Sequence, residues 1–225
     1  MIKTLTGIVA AAVLAGCAGP SYAQEGTPPS LLGESLRGKA SKKDRKPKTP
    51  TLQRLQDGKN YVVLIDAYDT VKRLSELVGF SGNYGHIEVV RNGISYGCRP
   101  PECSEISLVD LEQKFHGSGF EIREIDIKGD PERAVRWFRQ NLEGQAYNLL
   151  DRNCTDAVVL MYDASGDRTR RLDPVDVDRT YVTNEPLRRF MAENGIPKPN
   201  REEVFFPDQF TTIGSLVAKG RFVGR

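Results

Sequence analysis

The chain has 225 residues, of which 39% are hydrophobic and 28% charged, and its formal net charge is +2. This composition is typical of a soluble globular domain with extensions, and it excludes a polytopic membrane protein or a wholly disordered chain. The nearly balanced charge gives no indication of nucleic-acid binding. The sequence has four cysteines, too few for a disulfide scaffold, and two histidines, His86 and His116, too few for a histidine-rich metal site.

Residues 1–23 are predicted to be an export signal, because Lys3 precedes an apolar run, Ile8 to Leu14, that is too short to span a bilayer permanently. Two cleavage sites compete. Leu14-Ala15-Gly16-Cys17 resembles a bacterial lipobox, in which Cys17 is lipidated, whereas Ser21-Tyr22-Ala23 fits an ordinary signal-peptidase site. Either alternative places the domain in a disulfide-permissive compartment outside the cytoplasm. We expect a periplasmic protein held at the outer membrane by an N-terminal lipid anchor.

Residues 24–60 are predicted to be a flexible basic linker. This stretch contains nine Lys or Arg residues against four Asp or Glu residues, together with Pro28-Pro29. Such a polar, self-repelling segment buries too little apolar surface to fold alone. Electrostatic docking on phospholipid headgroups or on a cell-wall polymer is a further role that the charge permits.

Residues 61–225 are predicted to form one α+β domain. The apolar patterns predict, in order, a strand at 61–65, a helix around 71–78, strands at 86–90 and 94–98, a helix at 108–115, a strand at 120–127, and helices at 131–142, 154–162 and 187–194. Asn92-Gly93 between two strands is a strong hairpin signal. Ser107 and Asp130-Pro131 are typical of helix starts.

Cys154 is the candidate nucleophile. Asn153 is a good helix cap and a buried-helix pattern follows, so Cys154 is expected on the first turn of a core helix. There the backbone N–H groups and the helix dipole are expected to lower the thiol pKa and to hold an oxyanion. A thiol nucleophile also needs a base, and His86, at the start of a strand, is the candidate. A lone cysteine at a helix start is more commonly a small buried residue than a nucleophile. A lone histidine at the start of a strand is more commonly a polar residue at the rim of the domain.

The segment Tyr147-Asn148-Leu149-Leu150-Asp151-Arg152-Asn153-Cys154 resembles the nucleophile segment of circularly permuted papain-like proteins. These proteins are related to NlpC-type peptidases and include the lecithin:retinol acyltransferase-like and PPPDE-type groups. Tyr84-Gly85-His86-Ile87-Glu88-Val89 resembles their histidine strand, and Pro207-Asp208 is similar to a segment of some relatives. The resemblance implies a permuted papain-like fold with an antiparallel sheet packed against the cysteine helix, and a Cys154–His86 dyad.

The sequence leaves open which residue orients the imidazole. An Asn92-Gly93 turn pairs residues whose numbers sum to 185, which sets Arg99 opposite His86. Neither Arg99 nor Cys98 is an obvious partner for an imidazole, so Glu102 and Glu105, just beyond, are the candidates.

Cys98 and Cys103 are separated by four residues, including two prolines. In an exported protein this spacing favours a local disulfide, while a metal site is the weaker alternative because no second cysteine pair exists. The bridge would leave Cys154 as the unpaired thiol of the domain.

Three functions remain in competition. The first is a thiol hydrolase, a cysteine peptidase or amidase, that cleaves an amide bond through Cys154 and His86, with a cell-wall peptide as substrate. The second is an acyltransferase or thioesterase that acts on lipid acyl groups with the same dyad. The third is a non-catalytic lipoprotein with a binding role. No metal ligand set and no cofactor motif is present, so none of these functions is expected to use a cofactor.

Overall fold

The computed structural model describes residues 52, 55–149, 152–167, 172–198 and 200–223. The predicted export signal, its Cys17 and most of the predicted linker lie outside these residues. Within the described residues, no helix is both long and apolar enough to cross a membrane.

The domain contains one large antiparallel sheet and six α-helices among its described residues. The strands are β1 Asn60–Ile65, β2 His86–Arg91, β3 Ile94–Arg99, β4 Glu102–Ser107, β5 Gly119–Glu124, β6 Val175–Asp176, β7 Glu203–Val204 and β8 Ser215–Arg221. The helices are α1 Asp69–Leu77, α2 Leu108–Lys114, α3 Pro131–Asn141, α4 Cys154–Ser165, α5 Val177–Thr183 and α6 Glu185–Glu193, and a 3₁₀ helix spans Pro207–Thr212. The large sheet has the order β4-β3-β2-β1-β5-β8, and β6 pairs with β7 alone. The predicted α+β class is confirmed.

The hairpin between β2 and β3 forms as predicted. Asn92 and Gly93 have φ angles of 49° and 76°, the left-handed conformations that a tight two-residue turn requires. The resulting register pairs Val89 with Tyr96 and Arg91 with Ile94, in agreement with the predicted sum of 185. This register decides which side chains of β3 lie beside those of β2, and it therefore builds part of the site.

Side-chain caps fix the starts of the three helices whose capping residues the sequence indicates. The Ser107 hydroxyl accepts a hydrogen bond from the Asp110 amide, the Asp130 carboxylate accepts from two amides of α3, and Asn153 caps α4. Each cap satisfies amides that have no partner inside the helix. These starts are the ones that the sequence predicts.

The sheet has a hydrophobic core on each face, because successive residues of a strand point to opposite sides. Val62 and Leu64 belong to the core formed with α3 and α4, while Val63 and Ile65 belong to the core formed with α2. Cys154 lies in the first core. Phe115, just after α2, lies in the second.

The folded region extends further towards the N-terminus than predicted. Leu52 lies within the predicted linker, yet its side chain is buried in the α2 core and its amide donates to Glu112. Leu52 and the partly buried Leu55 both pack on this core and attach the end of the predicted linker to the domain. Five further elements have no clear sequence pattern and were not predicted: β4, α5, β6, β7 and β8. Strand β5 was predicted to end near Ile127, but it ends at Glu124.

Candidate functional site

Cys154 is the first residue of α4. The Asn153 side chain accepts hydrogen bonds from the amides of Thr155 and Asp156, and the Asp156 carboxylate accepts from the amide of Asn153. This reciprocal capping box makes Cys154 the first residue of the helix and thereby fixes the position of the thiol. The Cys154 side chain is buried and makes no disulfide.

His86 is the first residue of β2, and the loop before it is fixed from two sides. A Cβ atom on Gly85 would lie 1.9 Å from the carbonyl oxygen of Ala67, so only glycine fits there. The buried Asp208 carboxylate accepts hydrogen bonds from the hydroxyls of Ser75 and Ser81, both at 2.6 Å. The Pro207-Asp208 segment therefore fixes the loop that leads into His86.

The imidazole of His86 contacts a carboxylate, that of Glu88, which is not among the candidates predicted from the sequence. Its Nε2 atom lies 2.5 Å from Oε1 of Glu88, and both side chains are fully buried. Its Nδ1 atom is buried and forms no hydrogen bond of ordinary geometry within the described chain, so this nitrogen is the one available to the thiol.

The charges around His86 favour its protonated form. Burial alone lowers the pKa of His86, but the attraction of the Cys154 sulfur and the hydrogen bond and charge of Glu88 outweigh it and raise the pKa to about 9. Because the folded pKa lies above the ordinary value of 6.5, this contribution to stability is complete below about pH 6.5 and is lost as the pH rises through about 9. The site therefore holds an imidazolium beside the Cys154 sulfur at neutral pH.

Glu88 is held by donors on all sides. Nη1 of Arg99 lies 2.8 Å from both carboxylate oxygens, and the Ser95 hydroxyl lies 3.0 Å from Oε2. Burial would raise the pKa of Glu88, but hydrogen bonds and charges from His86 and Arg99 hold it below its usual value. The carboxylate also occupies the space above Gly97, where a Cβ atom would lie 2.2 Å from Oε2.

Arg99 anchors this carboxylate from the next strand. Its Nη2 atom donates to the carbonyl and hydroxyl oxygens of Ser104 on β4, at 2.9 and 3.0 Å. The side chain is 2% exposed. Arg99 therefore contacts Glu88, and it acts on His86 only through that carboxylate.

Aromatic rings enclose the imidazole and the thiol. Phe115 stacks on His86 with ring centroids 5.1 Å apart, and Tyr68 meets it edge-on at 5.2 Å. Burial raises the pKa of Tyr68 to about 12 and raises that of Tyr147 as well, with the Cys154 sulfur adding to both effects. Both phenols are therefore protonated near neutral pH.

The helix N-terminus offers fewer free donors than the sequence suggests. Among the first three amides of α4, those of Thr155 and Asp156 are bonded to the Asn153 side chain. The amide of Cys154 is therefore the backbone group that this turn leaves for an oxyanion.

The structure does not bring Glu102 or Glu105 to the imidazole. Glu102 is exposed at the start of β4 beside Ala146, and Glu105 forms an ion pair with Arg139 at 2.8 Å. The position of the orienting carboxylate belongs instead to Glu88, which lies two residues after His86 on the same side of β2. The predicted disulfide between Cys98 and Cys103 is present and joins β3 to β4 directly beside Arg99.

A sequence signal for Glu88 did exist. A glutamate within a strand of otherwise apolar residues, at the spacing that shares a side with the histidine, is a candidate buried partner. A buried carboxylate needs a positively charged partner. The hairpin register would then have identified Arg99 on β3 as that partner.

Comparison with known proteins identifies a shared fold and no family. No protein-family model matches the sequence, and no curated protein matches it. A solved structure, described as the metalloprotein yiiX from Escherichia coli O157:H7, DUF1105, is similar with a TM-score of 0.53 and 16% identity. The match covers 76% of this chain and 100% of that one. The two proteins share a fold.

The description of that neighbour as a metalloprotein has no counterpart among the described residues of this chain. They contain no group of three or more His, Cys, Asp or Glu side chains placed to hold a metal ion. His86, the buried histidine, already directs Nε2 to Glu88.

Replacing Glu88 by Gln is expected to lower the pKa of His86. The substitution removes the negative charge that favours the imidazolium, and a close opposite charge shifts a pKa by about 1 to 3 units. NMR titration of the two histidines, His86 and His116, measures this directly because the His86→Gln protein assigns the signals. Glu105→Gln is the matched control and should leave the midpoint near the wild-type value. A midpoint unchanged by Glu88→Gln would contradict the charge interaction.

Proposed function

We propose that this chain is a thiol hydrolase in which Cys154 attacks a carbonyl carbon, His86 transfers protons and Glu88 orients His86. The observation that carries the proposal is the buried chain of contacts from His86 through Glu88 to Arg99, beside a Cys154 sulfur that raises the pKa of His86. A purely structural histidine would not need an imidazole nitrogen left without a partner beside a buried thiol.

The roles follow from the arrangement of charges. The imidazolium stabilises the thiolate, which is the attacking form. After attack, His86 donates its proton to the departing group, and it then accepts a proton from the water that hydrolyses the thioester. Glu88 keeps Nε2 of the ring engaged, so that Nδ1 is the nitrogen that exchanges the proton.

The permuted papain-like architecture is part of this proposal. It is supported by the order of the elements, with the histidine strand before the cysteine helix, and by the capping of that helix at Asn153-Cys154. The compartment and the resemblance favour a peptide amide bond of the cell wall as the substrate of an exported, outer-membrane lipoprotein. The acyltransferase or thioesterase alternative is favoured by a different observation, the apolar cleft at Cys154.

The proposal is tested by trapping the covalent intermediate. Incubation with 4-nitrophenyl acetate at neutral pH, followed by acid quenching, is expected to add one acetyl group, and peptide mapping should place it on Cys154. Mass spectrometry of the intact protein measures the adduct. Cys154→Ser is the control and should remain unmodified under the same conditions. Acetylation of Cys154 no faster than that of N-acetylcysteine would contradict a catalytic role.

A further inference from the structure

The Cys98–Cys103 disulfide joins two strands at the position where the proposed site is anchored. The register of β3 and β4 places the bridge between the residue pair that includes Ser104 and the pair that includes Arg99. Both cysteines are fully buried, in the same core as Cys154. The bridge therefore fixes β4 to β3 inside the domain, next to the groups that hold the charges of the site.

The Arg99 side chain depends on the position of β4. Its Nη2 atom donates to the carbonyl and hydroxyl oxygens of Ser104 on β4, while its Nη1 atom contacts the Glu88 carboxylate on β2. Arg99 is thus held between β2 and β4, across its own strand. A displacement of β4 relative to β3 would move the Ser104 oxygens away from Nη2, and it would release the guanidinium that fixes Glu88 beside His86.

The outer edge of β4 holds the segment that leads to the nucleophile. The Cys103 amide donates to the Gln145 carbonyl, and the Gly144 amide donates to the Cys103 carbonyl, both at 2.8 Å. The Tyr147 amide donates to the Pro101 carbonyl, also at 2.8 Å. Tyr147 then lines the cleft at the nucleophile. The bridged residue Cys103 is thus bonded directly to the segment that leads into α4.

We infer that the Cys98–Cys103 disulfide positions both halves of the proposed site, and that the chain with both thiols reduced is a poor hydrolase. The inference rests on the proposed function and adds control of that same site by the oxidation state of the two cysteines. The bridge acts through Arg99 on the orienting carboxylate and through residues 144–147 on the nucleophile. Small misplacements of reacting groups reduce rates by about 10²-fold.

Formation of the bridge balances with another disulfide as the oxidant. The two thiols lose two protons and two electrons, a sulfur–sulfur bond forms between Cys98 and Cys103, and the sulfur–sulfur bond of the oxidant breaks to give two thiols. Cys154 takes no part in this exchange and keeps its thiol. The site is then completed only where the surroundings are oxidising.

The experiment compares oxidised wild-type protein with two proteins that lack the bridge. One is the double variant Cys98→Ala, Cys103→Ala. The other is wild-type protein reduced with a phosphine and desalted without oxygen, whose intact mass is two hydrogens greater. Acetylation of Cys154 by 4-nitrophenyl acetate at pH 7 is expected to be at least about tenfold slower in both.

A proton NMR signature distinguishes positioning from stability. The Nε2–H proton of His86 is bonded to the buried Glu88 carboxylate, so a downfield, exchange-protected imidazole resonance is expected in the oxidised protein. The resonance should be weakened or lost in both bridge-free proteins, because the carboxylate is no longer fixed. The His86→Gln protein assigns the signal.

Phe222→Leu is the control for loss of stability as such. Phe222 is buried against Phe120 just after β8, at the opposite edge of the sheet from the bridge, and it is no part of the proposed site. Its thermal midpoint should fall, as should those of the bridge-free proteins. Its acetylation rate and the His86 resonance should remain those of wild type.

The outcomes separate the inference from the proposed function. Folded bridge-free proteins that are slowed by less than about tenfold, or that keep the His86 resonance at full intensity, overturn the inference and leave the hydrolase proposal intact. If the double variant does not fold, the reduced wild-type protein decides. If neither folds, the bridge is needed for folding itself and the inference is overturned. Oxidised wild-type protein that acetylates Cys154 no faster than N-acetylcysteine overturns the proposed function, and the inference with it.

Discussion

Replacing His86 by Gln is expected to lower the rate of Cys154 acylation at pH 7 by about 10²-fold or more, the usual contribution of a positioned acid–base group. In the proposed mechanism, the imidazolium, whose pKa is raised to about 9, stabilises the thiolate and supplies the proton for the leaving group. Glutamine is similar in size and polar, but it can perform neither role. Stopped-flow measurement of 4-nitrophenol release gives the rate.

The chain offers a matched control for this experiment. His116, the second histidine, is exposed just after α2, and His116→Gln should acylate at the wild-type rate. Circular dichroism and thermal unfolding establish that both variants are folded. A His86→Gln protein that is folded and acylates within about threefold of wild type would contradict the assignment of His86 as the acid–base group, since that assignment requires a far larger loss.

Replacing Arg99 by Met is expected to destabilise the domain by about 3 kcal/mol or more, the range found when a buried charge loses its partner. Arg99 is 2% exposed and contacts both oxygens of the fully buried Glu88 carboxylate at 2.8 Å. Methionine fills a similar length but leaves that carboxylate with His86 as its remaining charged partner. Urea unfolding at pH 7 measures the free-energy difference.

Arg139→Met is the matched substitution at an exposed site. Arg139 forms a 2.8 Å ion pair with Glu105, with side chains 48% and 32% exposed, and such pairs contribute about 1 kcal/mol or less. Comparison of the two variants therefore separates the destabilisation caused by unpairing a buried charge from that caused by losing a positive charge at the surface. Equal destabilisation by Arg99→Met and Arg139→Met would contradict the anchoring role of Arg99.

The positions of Cys154 and His86 in the fold could be predicted from the sequence because local signals place them. Asn153 before an apolar helix fixes Cys154 on the first turn, and an alternating pattern after Gly85 fixes His86 at a strand start. Helix caps and two-residue turns act over a few residues, so their geometry is determined by neighbours in the chain. The same locality explains why the Asn92-Gly93 hairpin and its register could be predicted.

The orienting carboxylate was misassigned because its selection depends on non-local contacts. Glu102 and Glu105 are near Arg99 in sequence, but the strand pairing leaves one exposed and directs the other to Arg139 on α3. Glu88 is buried only because Gly97 leaves space above β3 and Arg99 and Ser95 supply donors. None of these conditions can be read from a single segment.

The amino-acid sequence alone determined the α+β class, the starts of the main helices, the central hairpin, and the residue types capable of thiol chemistry. These properties depend on periodicity, capping and turn conformation within short stretches of chain. The tertiary structure alone decided that Glu88 and Arg99 complete the charge chain, and that α5 and α6 form an apolar wall beside Cys154. Burial and charge compensation are properties of packed surfaces, and residues far apart in the chain create them together.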